Sequence, residues 1–327
     1  MTKNSDEILN SFGVIPVIAV SACLMGDKVR FDGGHKLHKF VSEKINPYFK
    51  FVKICPEIEV GMGVPRPPIH LYKSNSGDIK LVNRDDHSLD YTKKMIDVAN
   101  QRSSKLGGEI SGLILKSKSP SCGMSRIPIY RDEHETPDYS GVGMFAKNFM
   151  ERCPLLPVEE EGRLNDATLR ENFFERVYAY CRWKQIDTSN PKELINFHTS
   201  YKYSLMARGP TFPSQLGRIV AGVTKHNAEE KSQSYIELFM ATMAKKATRA
   251  KHVNAMQHVM GYFKKELEKE DKDELLKTMN SYKNCEVPLS TPMALIRLYQ
   301  RKHKNKYIEG QWYLNPYPES LALRANI

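Results

Sequence analysis

At 327 residues with 40% apolar side chains, a mean hydropathy of −0.51 and a formal net charge of +11, the chain can bury two cores. It offers no run near the ~20 apolar residues of a membrane helix. The charge is uneven: +4 over residues 1–150, −2 over 151–190 and +9 over 191–327. A basic C-terminal part points either to a polyanionic partner, RNA or DNA ahead of a membrane, or to a solvated lysine-rich surface.

The first element follows a decoy. VIPVIAVSAC (14–23) has the outline of a bacterial lipoprotein signal, but MTKNSDEILN before it is net acidic and Pro16 interrupts a run already short for an h-region. The same segment is better read as a strand over 14–22, followed by strands over 49–54 and 110–116. Between the last two, SLDYTKKMIDVANQRSSKL (88–106) carries apolar residues at helical steps and stops at Gly107-Gly108. Strands alternating with helix-length segments predict an α/β domain over 1–155 with a mostly parallel sheet. PLLPVEEEGRLND (154–166) reads as a linker leading to a helix over 166–184, so that 156–190 forms a connecting segment. From Pro191 onward an all-α, basic domain (191–327) is expected, including one long helix through EEKSQSYIELFMATMAKKATRAKHVNAMQHVMGYFKKEL. QWYLNPYPESLALR closes the chain as an irregular tail.

Six cysteines stand at 23, 55, 122, 153, 181 and 285, without a C-x-x-C pair or a dense framework, as expected of reduced thiols in a cytoplasmic protein. Cys23, Cys55 and Cys122 each follow one of the three strand runs. Ligands of open α/β sheets bind outside the carboxyl ends of the strands, so these thiols would meet in one crevice. ILKSKSPSCGMSRIP (114–128) crowds Cys122 with serines, lysines and turn-formers rather than packing it inside the apolar run. Zinc sites usually close with four ligands, and no fourth Cys or His shares this placement. An iron–sulfur cluster is one reading, and three semi-buried packing thiols are the other.

SACLMGDKVRFDGGHK, KICPEIEVGMGVPRPP and LILKSKSPSCGMSR resemble, in order, the three signature blocks of the thiouracil desulfidase family. HTSYKYSLMA, HVNAMQHVMGYFKK, VPLSTPMALIRLY and QWYLNPYP resemble a helical domain fused to that family in enzymes acting on 4-thiouridine in tRNA. The resemblance implies a [4Fe–4S] cluster with three cysteine ligands, Cys23, Cys55 and Cys122, whose open iron binds the thiocarbonyl sulfur while water converts C4 to a carbonyl. Glu57 would be the general acid–base, and Ser119 and Ser121 would hold the water or the developing oxyanion. Weaker roles fall to Asp32 and Lys36 in orienting the base and to Lys116 in offsetting cluster charge. Lys245, Lys246, Arg249 and Lys251, with His252 and His258, would form a basic helical stripe tracking the phosphates of thiolated tRNA. Cys153, Cys181 and Cys285 are expected to be structural. Two alternatives stand beside this reading: a desulfidase of free 2- or 4-thiouracil, and a nucleic-acid-binding iron–sulfur or redox sensor. Neither a membrane nor an obligate protein partner is implied.

Overall fold

The three β-branched runs form strands β1 (Val17–Ser21), β2 (Lys50–Ile54) and, further along, β5 (Gly112–Leu115) in the computed structural model, which describes residues 12–131 and 136–327. The acidic segment 1–10 lies outside the described residues. β1 and β5 are buried almost throughout, as expected of inner strands of a parallel sheet covered on both faces. The sheet order is β2-β1-β5-β8, where β8 is Val158–Glu160, with every pair parallel. The predicted α/β architecture is therefore present. The helix expected from residue 88 runs over Thr92–Leu106 (α2, the short α1 being Pro56–Glu59), because Asp90 accepts from the Thr92 amide at 2.8 Å and Val82 bridges Asp90. It buries Met95, Ala99, Ser103 and Leu106 and packs on α3 (Met144–Arg152).

Up to residue 165, two features differ from the sequence reading. A second sheet, ordered β4-β3-β6-β7, is built from β3 (Ile69–Lys73), β4 (Ile79–Asn83), β6 (Ile127–Tyr130) and β7 (Asp138–Gly141). Its strands turn Leu71, Ile127 and Ile129 inward while His70, Tyr72 and Tyr130 sit half-buried on the other side, so no run is apolar enough to stand out. The stretch at 154–166 is not a free linker. Val158–Glu160 is β8, the edge strand beside β5, and Glu159, Glu160 and Glu161 are all buried.

The chain divides into two units between Asn165 and Asp166. The second is all-helical: α4 (Ala167–Trp183), α5 (Pro191–Ser200), α6 (Lys202–Met206), α7 (Phe212–Ala221), α8 (Ala228–Met243), α9 (Arg249–Met260), α10 (Lys269–Lys283), α11 (Ser290–His303) and α12 (Lys306–Glu309). Asp166 caps α4 by accepting from the Leu169 amide at 2.8 Å. The single long helix expected after residue 228 is broken into α8 and α9. Thr248 has extended backbone angles, and its Oγ1 accepts from the Lys251 amide at 3.3 Å, which starts a new helix. The C-terminal tail is irregular but belongs to the core. Tyr313, Tyr317 and Leu323 are buried, and Arg324 donates to Glu171 at 3.0 Å. Among the described residues no helix is long and apolar enough to cross a membrane.

Candidate functional site

Three parallel strands end on the same edge of the first sheet, and each delivers a thiol there. Cys23 lies in the 3-10 turn Ala22–Met25 directly after β1. Cys55 follows β2 at the N-cap of α1, where its amide meets Glu59 Oε1 at 3.4 Å; Glu59 in turn accepts from Arg102 of α2 at 2.6 Å. Cys122 lies in the loop after β5, its amide donating to Ser119 Oγ at 3.1 Å. All three line one cavity of about 260 Å³. Cys153, Cys181 and Cys285 do not line it.

Glu57 sits among these thiols. Its Oε1 accepts a very short hydrogen bond from Ser121 Oγ and a long one, 3.5 Å, from Ser119 Oγ. Its Oε2 accepts from the Cys55 thiol at 3.5 Å. The two serines lie 2.9 Å apart but differ in place. Ser119 lines the cavity with Glu57, whereas Ser121 is fully buried behind and does not line it. Ser121 therefore aims Glu57, and Ser119 is the hydroxyl that faces the space. Burial first, and then the nearby Glu57 carboxylate, push the Cys23 thiol up to about 11 and Cys55 up to about 12; the same two causes push Cys122 up. The uncharged thiols are therefore protonated near neutral pH, and binding an electrophilic group there would release protons.

The loop that carries Cys122 rests on α3. A Cβ at Gly143 would come within 2.5 Å of the Ser121 carbonyl oxygen and 2.8 Å of the Gly123 amide, both rigid backbone. Gly143→Ala should therefore displace the Ser119–Cys122 loop and cost about 1–3 kcal/mol by overpacking. Thermal unfolding beside thiol titration of the folded protein measures both effects, and an unaltered variant would show that the loop has slack.

Lys116 lines the cavity too, but it is held from behind. Its ammonium donates to Glu161 Oε1 at 2.5 Å, and Glu161 Oε2 accepts from the Ser117 amide at 2.7 Å. Burial would raise the Glu161 carboxyl, yet the Lys116 ammonium and the Ser117 amide and hydroxyl outweigh it and hold Glu161 below the ordinary carboxylate value. A depressed folded pKa gives stability that is complete above the unfolded carboxylate value near ~4.3 and is lost as pH falls through the folded value. Glu161→Gln should therefore cost on the order of 3 kcal/mol at neutral pH, and the deficit should shrink in acid. Melting temperature against pH for both proteins tests it; parallel curves would remove the pair from the stability balance.

Asp32 and Lys36 do not line the cavity. Asp32 is exposed, accepting from the Gly34 amide at 3.0 Å and lying 3.4 Å from Arg30; Lys36 meets the site only through its amide, which donates to Cys23 O at 2.9 Å. Sequence reasoning missed Arg30, Phe31 and Arg66 on the cavity wall. Arg66 is fixed by Val29 O at 3.0 Å and Gly63 O at 3.1 Å. Their signal was their place inside the glycine- and proline-rich blocks that hold Cys23 and Cys55.

The expected basic stripe is not one surface. Lys245 and Lys246 are exposed on the connector between α8 and α9. Arg249 instead donates to Tyr282 O at 2.7 Å, and Lys251 donates to Arg208 O at 2.8 Å. His252 is buried, with Nδ1 3.0 Å from the Tyr313 hydroxyl.

A family model described as 2-thiouracil desulfurase matches residues 18–161, and one of a protein family of unknown function, DUF1722, matches 202–318. The chain is 31% identical over 128 residues to the uncharacterized protein YbbK of Bacillus subtilis (strain 168), covering 34% of this chain and 76% of that one. It is 26% identical over 163 residues to the uncharacterized protein YbgA of Escherichia coli (strain K12), covering 50% and 95%. A solved structure of a [4Fe-4S]-dependent thiouracil desulfidase, TudS, is 28% identical over 46% of this chain and 94% of that chain, at a TM-score of 0.37. The thiol-lined site at the carboxyl edge of the parallel sheet falls within the residues that the desulfurase family model matches. The chain belongs to the 2-thiouracil desulfurase family.

Proposed function

We propose that this protein removes sulfur from 4-thiouridine in tRNA, leaving uridine, with a [4Fe–4S] cluster held by Cys23, Cys55 and Cys122. The observation that carries the reading is the convergence of those three thiols on one cavity beside a carboxylate that two hydroxyls hold. The donor set fits such a cluster: three thiols line one cavity of about 260 Å³, and thiolate is the usual protein ligand of clustered iron.

When bound, such a cluster supplies an open, thiophilic Lewis acid to the thiocarbonyl sulfur. The residues of the chain do the rest. Glu57 takes a proton from the water that adds to C4, and Ser121 fixes the carboxylate in position for it. Ser119, facing the cavity, donates toward the oxygen that becomes the carbonyl. Lys116, its charge balanced by Glu161, adds a fixed dipole at the wall. Thiocarbonyl and water go to carbonyl and hydrogen sulfide, so no net electron enters or leaves.

The choice of tRNA is supported by the +9 charge of residues 191–327 and by the exposure of Lys245 and Lys246. The test is anaerobic reconstitution with iron and sulfide, followed by sulfide release from thiolated tRNA and from free 2- and 4-thiouracil. Release from tRNA is expected. Release from the free bases alone would overturn the tRNA assignment, and a chromophore without any release would make the site a sensor.

A further inference from the structure

Asp32 and Lys36 do not reach the site cavity, but the residue before Asp32 does. Phe31 is the one aromatic side chain among the described residues that line it. It is also the one exposed phenylalanine of the described residues, at 42%. A lone exposed apolar side chain is ordinary on an open surface. On the wall of a cavity that also holds thiols and a carboxylate, it offers a flat apolar face to whatever enters. The backbone around it is fixed. The Gly33 amide donates to Arg30 O at 3.0 Å and the Arg30 amide to Gly34 O at 3.2 Å, closing a tight turn about Phe31 and Asp32. Asp32 accepts from the Gly34 amide at 3.0 Å, so its carboxylate holds this turn. Phe31 O accepts from the Arg66 amide at 2.9 Å, which ties the turn to the segment that brings Arg66 to the same wall. The Arg30 guanidinium lies 5.4 Å from the centre of the Phe31 ring. It takes one face, and the exposure of the ring leaves the other open.

The base in the proposed reaction is a planar π ring whose reacting carbon has to be held beside the thiols and Glu57. Hydrogen bonds along its edge fix a direction in the plane, and a flat apolar surface fixes the plane itself. Aromatic side chains supply that surface to unstacked bases, and every base has a π face to rest on them. We infer that Phe31 stacks on the thiolated pyrimidine ring, so that the sulfur-bearing edge of the base points to Cys23, Cys55 and Cys122. The inference rests on the desulfidase reading above and names the ring that its site accepts, a flat unsaturated heterocycle, free or turned out of an RNA. Stacking acts equally in the ground state and in the transition state, so its loss falls on KM and not on kcat.

The test uses the full chain, reconstituted anaerobically with iron and sulfide. Phe31→Leu keeps an apolar side chain without a ring, and Phe31→Tyr keeps the ring. With whichever substrate releases sulfide, thiolated tRNA or free 4-thiouracil, KM should rise about tenfold in Phe31→Leu. Its kcat and visible absorption should stay near wild type. Phe31→Tyr should restore KM, which a general loosening of the turn would not allow. A second readout needs no turnover. Phe31→Trp in the Glu57→Gln background puts an indole at the same place, while Trp183 and Trp312 lie in the helical unit. Bound 4-thiouracil or thiolated tRNA absorbs where indole emits, and should quench this protein more than its Glu57→Gln parent. Wild-type KM in Phe31→Leu, a raised KM that Phe31→Tyr does not restore, or equal quenching of the two proteins would each overturn the inference. Sulfide release indifferent to Phe31→Leu refutes the stacking and leaves the activity. Added quenching at residue 31, without sulfide release by the wild type, refutes the activity and leaves the stacking.

Discussion

Cys23→Ala, Cys55→Ala and Cys122→Ala should each abolish both the visible absorption of the reconstituted protein and its sulfide release, whereas Cys153→Ala, Cys181→Ala and Cys285→Ala should keep both. The three outer thiols do not line the site cavity. Cys153 packs against Ser103 O at 3.9 Å, Cys181 is buried in α4, and Cys285 is exposed. Each inner thiol is the sole one supplied by its strand end, so no neighbour can replace it. Deleting one also removes a side chain that burial keeps as a neutral thiol in the metal-free protein, so the fold should tolerate the change. The melting temperature without iron should therefore fall little while the chromophore is lost entirely. Equal loss across all six, or a chromophore that survives loss of an inner thiol, would sink the three-ligand assignment.

Glu57→Gln should leave the absorption intact and slow turnover on the order of 10²-fold or more, the scale of a lost proton acceptor. The amide is nearly isosteric and can still accept from Ser121 through its oxygen, so the loop should stay in place. Ser121→Ala leaves the carboxylate in the cavity without its shortest tether, and a smaller loss in kcat is expected, with the visible spectrum unchanged. Ser119→Ala tests the hydroxyl that faces the cavity. Single-turnover sulfide release at fixed cluster content separates these effects, and normal release by Glu57→Gln would remove it from the chemistry.

Strands β1 and β5 were legible because inner parallel strands are apolar on both faces, the edge strand β2 because its short run is rich in Phe, Val and Ile, and the thiols because each stands just beyond such a run. The second sheet was not, since β3 and β6 are only four or five residues long and are buried at just one or two positions each. Helix periodicity carried the eye across Lys245–Ala247, where only the capping habit of Thr248 marks a new start. The hardest residue was Glu161. A run of three glutamates usually lies in solvent, and here Arg163, the Met124 amide and Lys116 each take one of them at 2.5–2.7 Å. Those partners come from distant loops or from the far side of the same turn, which local pattern cannot anticipate.

The strand β8 bears on how such two-part chains can be assembled and exchanged. A cut at residue 155 would look harmless by sequence, yet it would strip the edge strand from the first sheet and the counter-ion from Lys116. The family match ends at Glu161, and Asp166 already caps the first helix of the other unit. Only Gly162–Asn165 lies between them, and even there Leu164 is buried. Recombination between lineages that left both parts working therefore has a seam of four residues to use. A desulfidase grafted onto another partner domain should tolerate a new joint there and fail when the joint falls a few residues earlier.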